Sequence, residues 1–363
     1  MKSVAVVSGF GRFKGSTFVA RCYCEALKRL GYETHWYQCG DAVRPPNDVL
    51  IGRVVRGIST GNRVLDQGLN FAHFFPKNLG TLTEDIVLLT DPLLLGMVDA
   101  NPRSLVVVHD LRELHRRTRS NLASPILSFY LLGKIRRSKG IFADTEATRR
   151  DLAGRVPDLP PTEVVHPATP VAANGPEHIR KSLARLTEKK TQQLLYVAVD
   201  RSYKRLKFVV NLARHFDSFS KEVDVRVLLL SNLRRTTLRY VERNSPRCLT
   251  VIPEVEDISK VYDESDVLLF PSEFEGFGLP LVEAMSFGIP IVASRAEAVL
   301  EVLGDAGISV PGHDPASWSQ VIGNLWTPAT YEVWATRALG RAACFSGEAF
   351  CHRLEEVLTK WGV

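Results

Sequence analysis

The chain lacks the patterns that mark several common classes of protein. Its six cysteines include no Cys-x-x-Cys pair and match no zinc-binding spacing, so we expect buried, reduced thiols. No run of about 18 apolar residues occurs, so no membrane-spanning helix is expected. The N-terminus MKSVAVVSGF enters a strand-like run without the longer apolar core or cleavage site of a signal peptide. Together these absences favour a cytoplasmic protein.

The chain has little excess charge of either sign. Lysine and arginine number 46 against 40 acidic residues, for a formal net charge of +6. This balance suits an anionic ligand, a nucleic acid or an acidic membrane surface, and it does not choose among them. The composition, 45% hydrophobic and 24% charged, is typical of a soluble globular protein, and 363 residues suffice for one large or two ordinary domains.

Short apolar runs alternate with helical stretches along the chain, which indicates parallel sheets covered on both faces. The runs form two sets, separated by the Ala-, Pro- and Gly-rich stretch 168–178, the best candidate for a linker. We therefore predict an α/β protein of two doubly wound, Rossmann-like domains. The expected strands are 3–9, 85–90, 104–110, 140–144 and 162–167, then 193–199, 224–231, 248–253, 266–272 and 289–294, with helices at 16–31 and 145–154.

The stretch PSEFEGFGLPLVEAMSFGIPIVAS, residues 271–294, follows one of these strands. Ligands of doubly wound sheets bind beyond the carboxyl ends of the strands, which is where this segment begins. Pro280 suits the first turn of a helix and Gly288 suits the position after its last turn, so we expect a helix over about 279–287. The N–H groups at its start, with the backbone of Gly276 and Gly278, would form an anion-binding end.

Two glutamates flank this glycine-containing segment. Glu275 lies in the expected loop, and Glu283 lies about one turn into the expected helix. Carboxylates accept hydrogen bonds from hydroxyl groups, so a polyol that carries phosphate would satisfy both glutamates and the helix end. The alternative is a solvent-facing loop with two incidental acids.

The same stretch resembles the signature of retaining family-4 glycosyltransferases of the GT-B fold. That signature is Glu-x7-Glu within an E-G-F-G-L-P-x-x-E-A-M core, which this chain carries unbroken from Glu275 to Met285. The similarity is strong over 190–360 and weaker over 1–160. It implies two Rossmann-like domains facing across a cleft. These would be an acceptor-side domain over 1–168, a nucleotide-sugar-binding domain over 169–345, and a C-terminal helix within 346–363 that packs back toward the first domain.

The resemblance also implies roles for the residues of the signature. Glu283 would bind the ribose of the nucleotide, and Glu275 would bind the transferred sugar. The backbone from Phe277 to Leu279, with its flanking glycines, would meet the sugar and the diphosphate. No side chain is clearly placed as a nucleophile. The resemblance implies retention of the anomeric configuration, and attack on the same face of the sugar, assisted by the donor phosphate, is a mechanism proposed for such enzymes.

Two cations follow the strand at 193–199. Arg201 and Lys204 could stabilise the negative charge that develops on a leaving diphosphate. The family has an Arg and a Lys here, and Lys204 matches its Lys. Ala198 replaces a glycine that is usual in the family, so the loop that carries Arg201 differs. The alternative is a basic, solvated helix start.

In the first half, GFGRFKGST (9–17) is not a dinucleotide fingerprint, because its third glycine comes one residue late. The resemblance makes Gly15 the best match to a glycine that lies near the diphosphate. It also places His109, at the end of a strand, near the reacting sugar. A lone histidine at a strand end is more often structural, and Asp110 is more likely to be positional.

The chain contains no Asp-x-Asp triplet, so the metal-chelating nucleotide site of the other major glycosyltransferase fold is not supported. Transfer is expected without metal or cofactor. Basic residues are frequent over 112–139, which suits either contact with an anionic membrane that carries a lipid-linked acceptor or an ordinary surface helix. Nucleic acid is not an expected partner, because no binding module accompanies the charge.

The sequence therefore predicts a retaining, metal-independent hexosyltransferase that uses a nucleotide-diphosphate sugar and a carbohydrate, lipid-linked or small-molecule acceptor. Two rivals remain open. One is another GT-B enzyme, such as a sugar-nucleotide epimerase or a phosphorylase. The other is a sugar-nucleotide binder without catalytic activity.

Overall fold

The computed structural model describes residues 2–9, 14–39, 51–55, 82–99, 101, 103–114, 132–169, 171, 173–188, 190–218, 223–230, 233–252, 255 and 257–363. Contacts among the α-carbons divide the chain into two compact units. Unit 1 comprises residues 1–168 and 346–363, and unit 2 comprises residues 169–345.

Unit 1 is built on a parallel sheet of order β3-β2-β1-β4-β5-β6-β7. The order reverses direction between β1 and β4, as in a doubly wound fold. Helices α1 and α11 pack on one another, and both contribute to the apolar cluster on one face of the sheet. The strands are β1 Ser3–Ser8, β2 Glu33–Cys39, β3 Ile51–Val55, β4 Ile86–Leu89, β5 Ser104–Val108, β6 Gly140–Ala143 and β7 Thr162–Val164, and the helices are α1 Lys14–Arg29, α2 Glu146–Ala153 and α11 Gly347–Lys360.

Unit 2 repeats the plan with a parallel sheet of order β10-β9-β8-β11-β12-β13. Here the order reverses between β8 and β11, and apolar clusters cover both faces. The strands are β8 Gln192–Ala198, β9 Val223–Leu229, β10 Leu249–Ile252, β11 Val267–Phe270, β12 Ile291–Ala293 and β13 Ile308–Ser309. The helices are α3 Gly175–Thr187, α4 Leu206–Asp217, α5 Arg235–Asn244, α6 Ile258–Asp263, α7 Leu279–Phe287, α8 Glu297–Leu303, α9 Pro315–Asn324 and α10 Pro328–Ala342.

The expected class, two doubly wound α/β domains, is confirmed. The predicted linker was too long, because α3 already begins at Gly175. The Asn174 side chain caps this helix by accepting from the N–H of Glu177 at 3.3 Å, and Pro176 occupies the first turn. The residues Asn174, Gly175 and Pro176, which suggested a linker, instead begin a helix. The first helix also begins earlier than predicted, at Lys14, so Gly15 lies in its first turn.

Candidate active site

The signature segment forms the loop and helix that follow the central strand β11 of unit 2. The chain leaves β11 at Phe270 and enters α7 through Gly278, whose φ of 96° lies in the left-handed region that favours glycine. No described side chain caps α7, and Pro280 in its first turn has no N–H to donate. The start of α7 therefore presents backbone N–H dipoles at the carboxyl edge of the sheet, where an anion would be stabilised.

Glu283 lies on α7 and is only 7% exposed. The hydroxyl of Tyr262, from α6, donates to its Oε2 at 2.5 Å, and Tyr262 itself stacks on Phe287 at 5.7 Å between ring centres. Burial raises the pKa of Glu283 to about 7, although the Tyr262 hydrogen bond opposes that rise. Among the described residues only Tyr262 hydrogen-bonds this carboxylate, so the carboxylate retains acceptor capacity for a ligand hydroxyl.

Lys204 and Glu275 form an ion pair between the loops that follow β8 and β11. Lys204 Nζ lies 2.6 Å from Glu275 Oε1, and the two side chains are 13% and 9% exposed. The ammonium group also lies 5.6 Å from the centre of the Phe270 ring. The structure therefore brings together the cation and the carboxylate that the sequence placed on separate loops.

Further contacts join the same two loops. The guanidinium of Arg205 pairs with the carboxylate of Glu273, and the Glu273 N–H donates to the carbonyl of Tyr203 at 2.9 Å. Tyr203 meets Phe274 edge to face, with ring centres 6.3 Å apart. Arg205 adopts a φ of 62°, a left-handed conformation that costs a non-glycine residue energy. These contacts fix the positions from which Lys204 and Glu275 extend.

Arg201 precedes the short 3₁₀ turn Ser202–Lys204, and its guanidinium makes no hydrogen bond or ion pair with the described residues. The carboxylate of neighbouring Asp200 accepts from the Arg234 N–H at 2.6 Å and from Thr237 Oγ1 at 3.0 Å. Asp200 thereby ties this loop to the start of α5. Arg201 is left as a cation of unit 2 that a ligand could engage.

His109 lies in unit 1, after β5. Its Nδ1 is 2.8 Å from Asp144 Oδ2 and its Nε2 is 2.9 Å from the carbonyl oxygen of Thr90. Burial lowers the pKa of His109, but the charge and hydrogen bond of Asp144, the Thr90 carbonyl and the charge of Asp91 together raise it to about 9. Protein oxygen atoms therefore face both of its ring nitrogens.

The sequence missed four residues that support the predicted ones: Tyr262 behind Glu283, Asp144 behind His109, and the pair Arg205 and Glu273. Tyr262 and Asp144 lie 21 and 35 residues from the residues they contact, so no local spacing could reveal them. Arg205 and Glu273 lie beside Lys204 and Glu275 in sequence, but their contact with one another spans 68 residues. The predicted membrane segment 112–139 is described only at its ends, since 115–131 lie outside the described residues.

Two kinds of feature are absent from the described residues. No helix among them is long and apolar enough to span a membrane. No group of three or more His, Cys, Asp or Glu side chains in the described ranges could hold a metal ion.

Known proteins resemble this chain over part of its sequence and over its fold. Residues 191–327 match the family described as glycosyl transferases group 1. O-antigen chain mannosyltransferase B of Escherichia coli is 37% identical over 103 residues, which is 28% of this chain and 27% of that protein. A D-inositol 3-phosphate glycosyltransferase of Corynebacterium diphtheriae is 35% identical over 105 residues, 28% of this chain and 25% of that protein. The chain thus matches only about a quarter of the length of these curated relatives.

Solved structures match over almost the whole chain. HepE of Anabaena, solved with UDP and glucose, has a TM-score of 0.77 at 14% identity and covers 99% of this chain and 100% of its own. Sucrose-phosphate synthase of Thermosynechococcus elongatus has a TM-score of 0.76 at 15% identity, with 99% of both chains covered. WaaG, a glycosyltransferase of lipopolysaccharide biosynthesis, has a TM-score of 0.74 at 15% identity. The chain has the GT-B fold.

Proposed function

We propose that this chain is a retaining glycosyltransferase that moves a hexose from a nucleotide-diphosphate sugar to a hydroxyl group of an acceptor. The observation that carries the proposal is the unbroken signature at the carboxyl end of β11. There Glu275 is paired with Lys204, and Glu283 is buried beside a helix start. Relatives with glycosyltransferase names, and structural neighbours solved with UDP or UDP-sugars, support it.

In this proposal the nucleotide sugar binds unit 2. Glu283 accepts hydrogen bonds from the ribose hydroxyls, and the start of α7, with the backbone of Gly276, Phe277 and Gly278, meets the diphosphate and the sugar. Glu275 accepts from hydroxyls of the transferred sugar while Lys204 holds its carboxylate. These groups are preorganised by contacts within unit 2, so little reorganisation is required when the donor binds.

In the transfer step, the bond between the anomeric carbon and the diphosphate oxygen breaks as the acceptor oxygen bonds to the same face of that carbon. The acceptor proton passes to the leaving diphosphate. Lys204 and Arg201 stabilise the charge that develops on that diphosphate, which lowers the barrier more than it strengthens binding. In the same proposal these cations and the helix start replace a divalent metal, and no cofactor takes part.

In the same proposal Gly15 of unit 1 meets the diphosphate of the donor, and His109 of unit 1 meets the reacting sugar. The acceptor is a carbohydrate, a lipid-linked glycan or another small hydroxyl compound. Contact of residues 112–139 with a membrane stays a prediction.

A thermal-shift screen against UDP-, GDP-, ADP- and TDP-sugars tests donor binding, because a ligand that binds the folded state raises its apparent stability. We expect the sugar nucleotides of one base to raise the Tm of the wild type. The same compounds should raise the Tm of Glu283→Ala much less. No stabilisation by any of them would contradict the proposal.

Product analysis then separates the rivals. An epimerase returns a changed sugar nucleotide, a phosphorylase needs inorganic phosphate, and a silent binder gives no product with a broad panel of acceptors. The proposed enzyme releases nucleoside diphosphate in equal amount to the glycoside formed.

A further inference from the structure

His109 and Asp144 follow adjacent strands of the unit 1 sheet and form one hydrogen-bonded pair. Their side chains are 21% and 5% exposed, and His109 Nδ1 lies 2.8 Å from Asp144 Oδ2. On the other side of the ring, Nε2 lies 2.9 Å from the carbonyl oxygen of Thr90. The ring is therefore held between two oxygen atoms, one from a carboxylate and one from the main chain.

This arrangement determines how many protons the pair needs. A carbonyl oxygen can only accept, so Nε2 must carry a proton. An ionised Asp144 can also only accept, so Nδ1 must then carry one too. Burial lowers the pKa of His109, but the charge and hydrogen bond of Asp144, the Thr90 carbonyl and the charge of Asp91 raise it to about 9, which favours the shared proton on the imidazole. A neutral ring beside an ionised Asp144 would leave one ring lone pair facing either the carboxylate or the Thr90 carbonyl oxygen.

The surrounding charges favour the cation as well. Asp91, after β4, adds a second negative charge that acts on His109. Asp144 Oδ1 is buried with no hydrogen-bond partner among the described residues, so the imidazolium is its main source of stabilisation. Asp144 also acts on the buried phenol of Tyr23. Burial and the charge of Asp144 raise the pKa of Tyr23, whereas Arg353 lowers it, and the net rise keeps this phenol neutral.

The remaining neighbours of His109 affect its backbone or lie beside it in sequence. Thr148, on α2, donates from its hydroxyl to the main-chain carbonyl of His109 at 3.2 Å. Asp110 accepts from the Arg112 N–H at 3.0 Å and pairs with its guanidinium at 4.0 Å. Neither contact removes a proton from the ring.

We propose that Asp144 is a positioning residue that holds His109 as a doubly protonated, fixed cation, so that His109 serves transfer as a positive charge and not as a proton acceptor. The part that concerns transfer rests on the function proposed above. It follows that His109 does not take the acceptor proton, which in the function proposed above passes to the leaving diphosphate.

The charge of His109 is measured directly by NMR on the full chain. Long-range ¹H–¹⁵N correlations distinguish an imidazolium from either neutral tautomer, and His109→Gln identifies the signal. At pH 7.5 we expect both ring nitrogens protonated in the wild type. In Asp144→Asn, which keeps the shape of the side chain, we expect the titration to move down by about 1–3 pH units, the usual effect of one nearby opposite charge. His313 of unit 2 serves as the control and should not respond.

A neutral His109 in the wild type at pH 7.5 would overturn the proposal. This measurement uses the wild-type protein, so it does not depend on whether a variant folds. An unchanged titration in folded Asp144→Asn would overturn the role of Asp144. If the pair shares its proton as a neutral acid and neutral base, Nδ1 shows no attached proton, and the proposal also fails.

The role in transfer is tested by the pH profile of kcat/KM from pH 6 to pH 9. We expect Asp144→Asn to be close to wild type at pH 6 and at least about tenfold slower at pH 8.5, with partial recovery in Asp144→Glu. A loss that is the same at every pH would indicate a merely structural role and contradict the use of the charge. If the wild type transfers no sugar at all, the proposed function fails, while the NMR result still decides the charge.

Discussion

From the ion pair of Lys204 and Glu275 we predict that substitutions of these two residues change the free energy of unfolding and the rate of transfer in different ways. The two side chains are 13% and 9% exposed, with 2.6 Å between Nζ and Oε1. Removing one partner of a fully buried pair costs about 3–5 kcal/mol, because the other charge is stranded. This pair retains some access to solvent, so we expect Lys204→Gln to cost about 2 kcal/mol. For a unit of this size that lowers Tm by about 4–8 °C.

Turnover should depend on the lysine charge itself. If Lys204 stabilises the leaving diphosphate, Lys204→Gln and Lys204→Ala should both lower kcat/KM by about 10²–10³-fold, the scale for one preorganised electrostatic group. Lys204→Arg keeps the charge in a different shape and should recover part of the activity. An exposed lysine with no role would leave all three close to wild type.

The double variant Lys204→Gln/Glu275→Gln separates the two effects. With both charges removed, no carboxylate is stranded, so we expect stability within about 1 kcal/mol of wild type. Activity should stay low. The measurements are Tm by calorimetry and initial rates at fixed ionic strength with one donor. Recovery of activity in the double variant would refute the reasoning, because the lysine would then act only by neutralising Glu275.

The remaining predictions concern the donor site and metal. Glu283→Ala should weaken nucleotide-sugar binding, whereas Glu275→Ala should mainly slow turnover; wild-type kinetics in both would contradict the assignment. Because the ionised Glu283 offers more acceptor sites to the ribose hydroxyls than the protonated acid does, donor Kd measured by calorimetry should rise as the pH falls below about 7 and be flat above it. Tyr262→Phe removes the hydrogen bond that lowers the Glu283 pKa, so this weakening should begin at higher pH; an unshifted profile would count against it. Initial rates should be the same in EDTA as with added magnesium or manganese, and abolition by EDTA with recovery on adding metal would argue for a metal site.

The region best predicted from the sequence is the one where local chemistry fixes the backbone. Helix α7 runs over Leu279–Phe287 as expected, because Pro280 and Gly288 define its ends; Gly288 has the left-handed φ of 69°. The buried central strands were also found, since strands covered on both faces are continuously apolar. The strands β2, β3 and β13 were missed. β2, with sequence ETHWYQC, mixes polar and apolar residues, and β13 is only two residues long.

The contacts within the candidate site could not be predicted in the same way. Lys204 and Glu275 are 71 residues apart, and Glu283 and Tyr262 are 21 apart. Strand order alone brings the loops after β8 and β11 together, and that order depends on the whole sheet. The sequence could therefore name candidate site residues, but not the distant residues that contact them.

The most direct test of the account is transfer from a labelled sugar nucleotide, followed by NMR of the anomeric centre in the product. The account predicts a glycoside with the anomeric configuration of the donor and an equal amount of nucleoside diphosphate, both strongly reduced in Lys204→Gln. Inversion at the anomeric carbon would contradict retention. A failure to form any glycoside, with a donor that binds and a broad acceptor panel, would contradict the assignment as a glycosyltransferase.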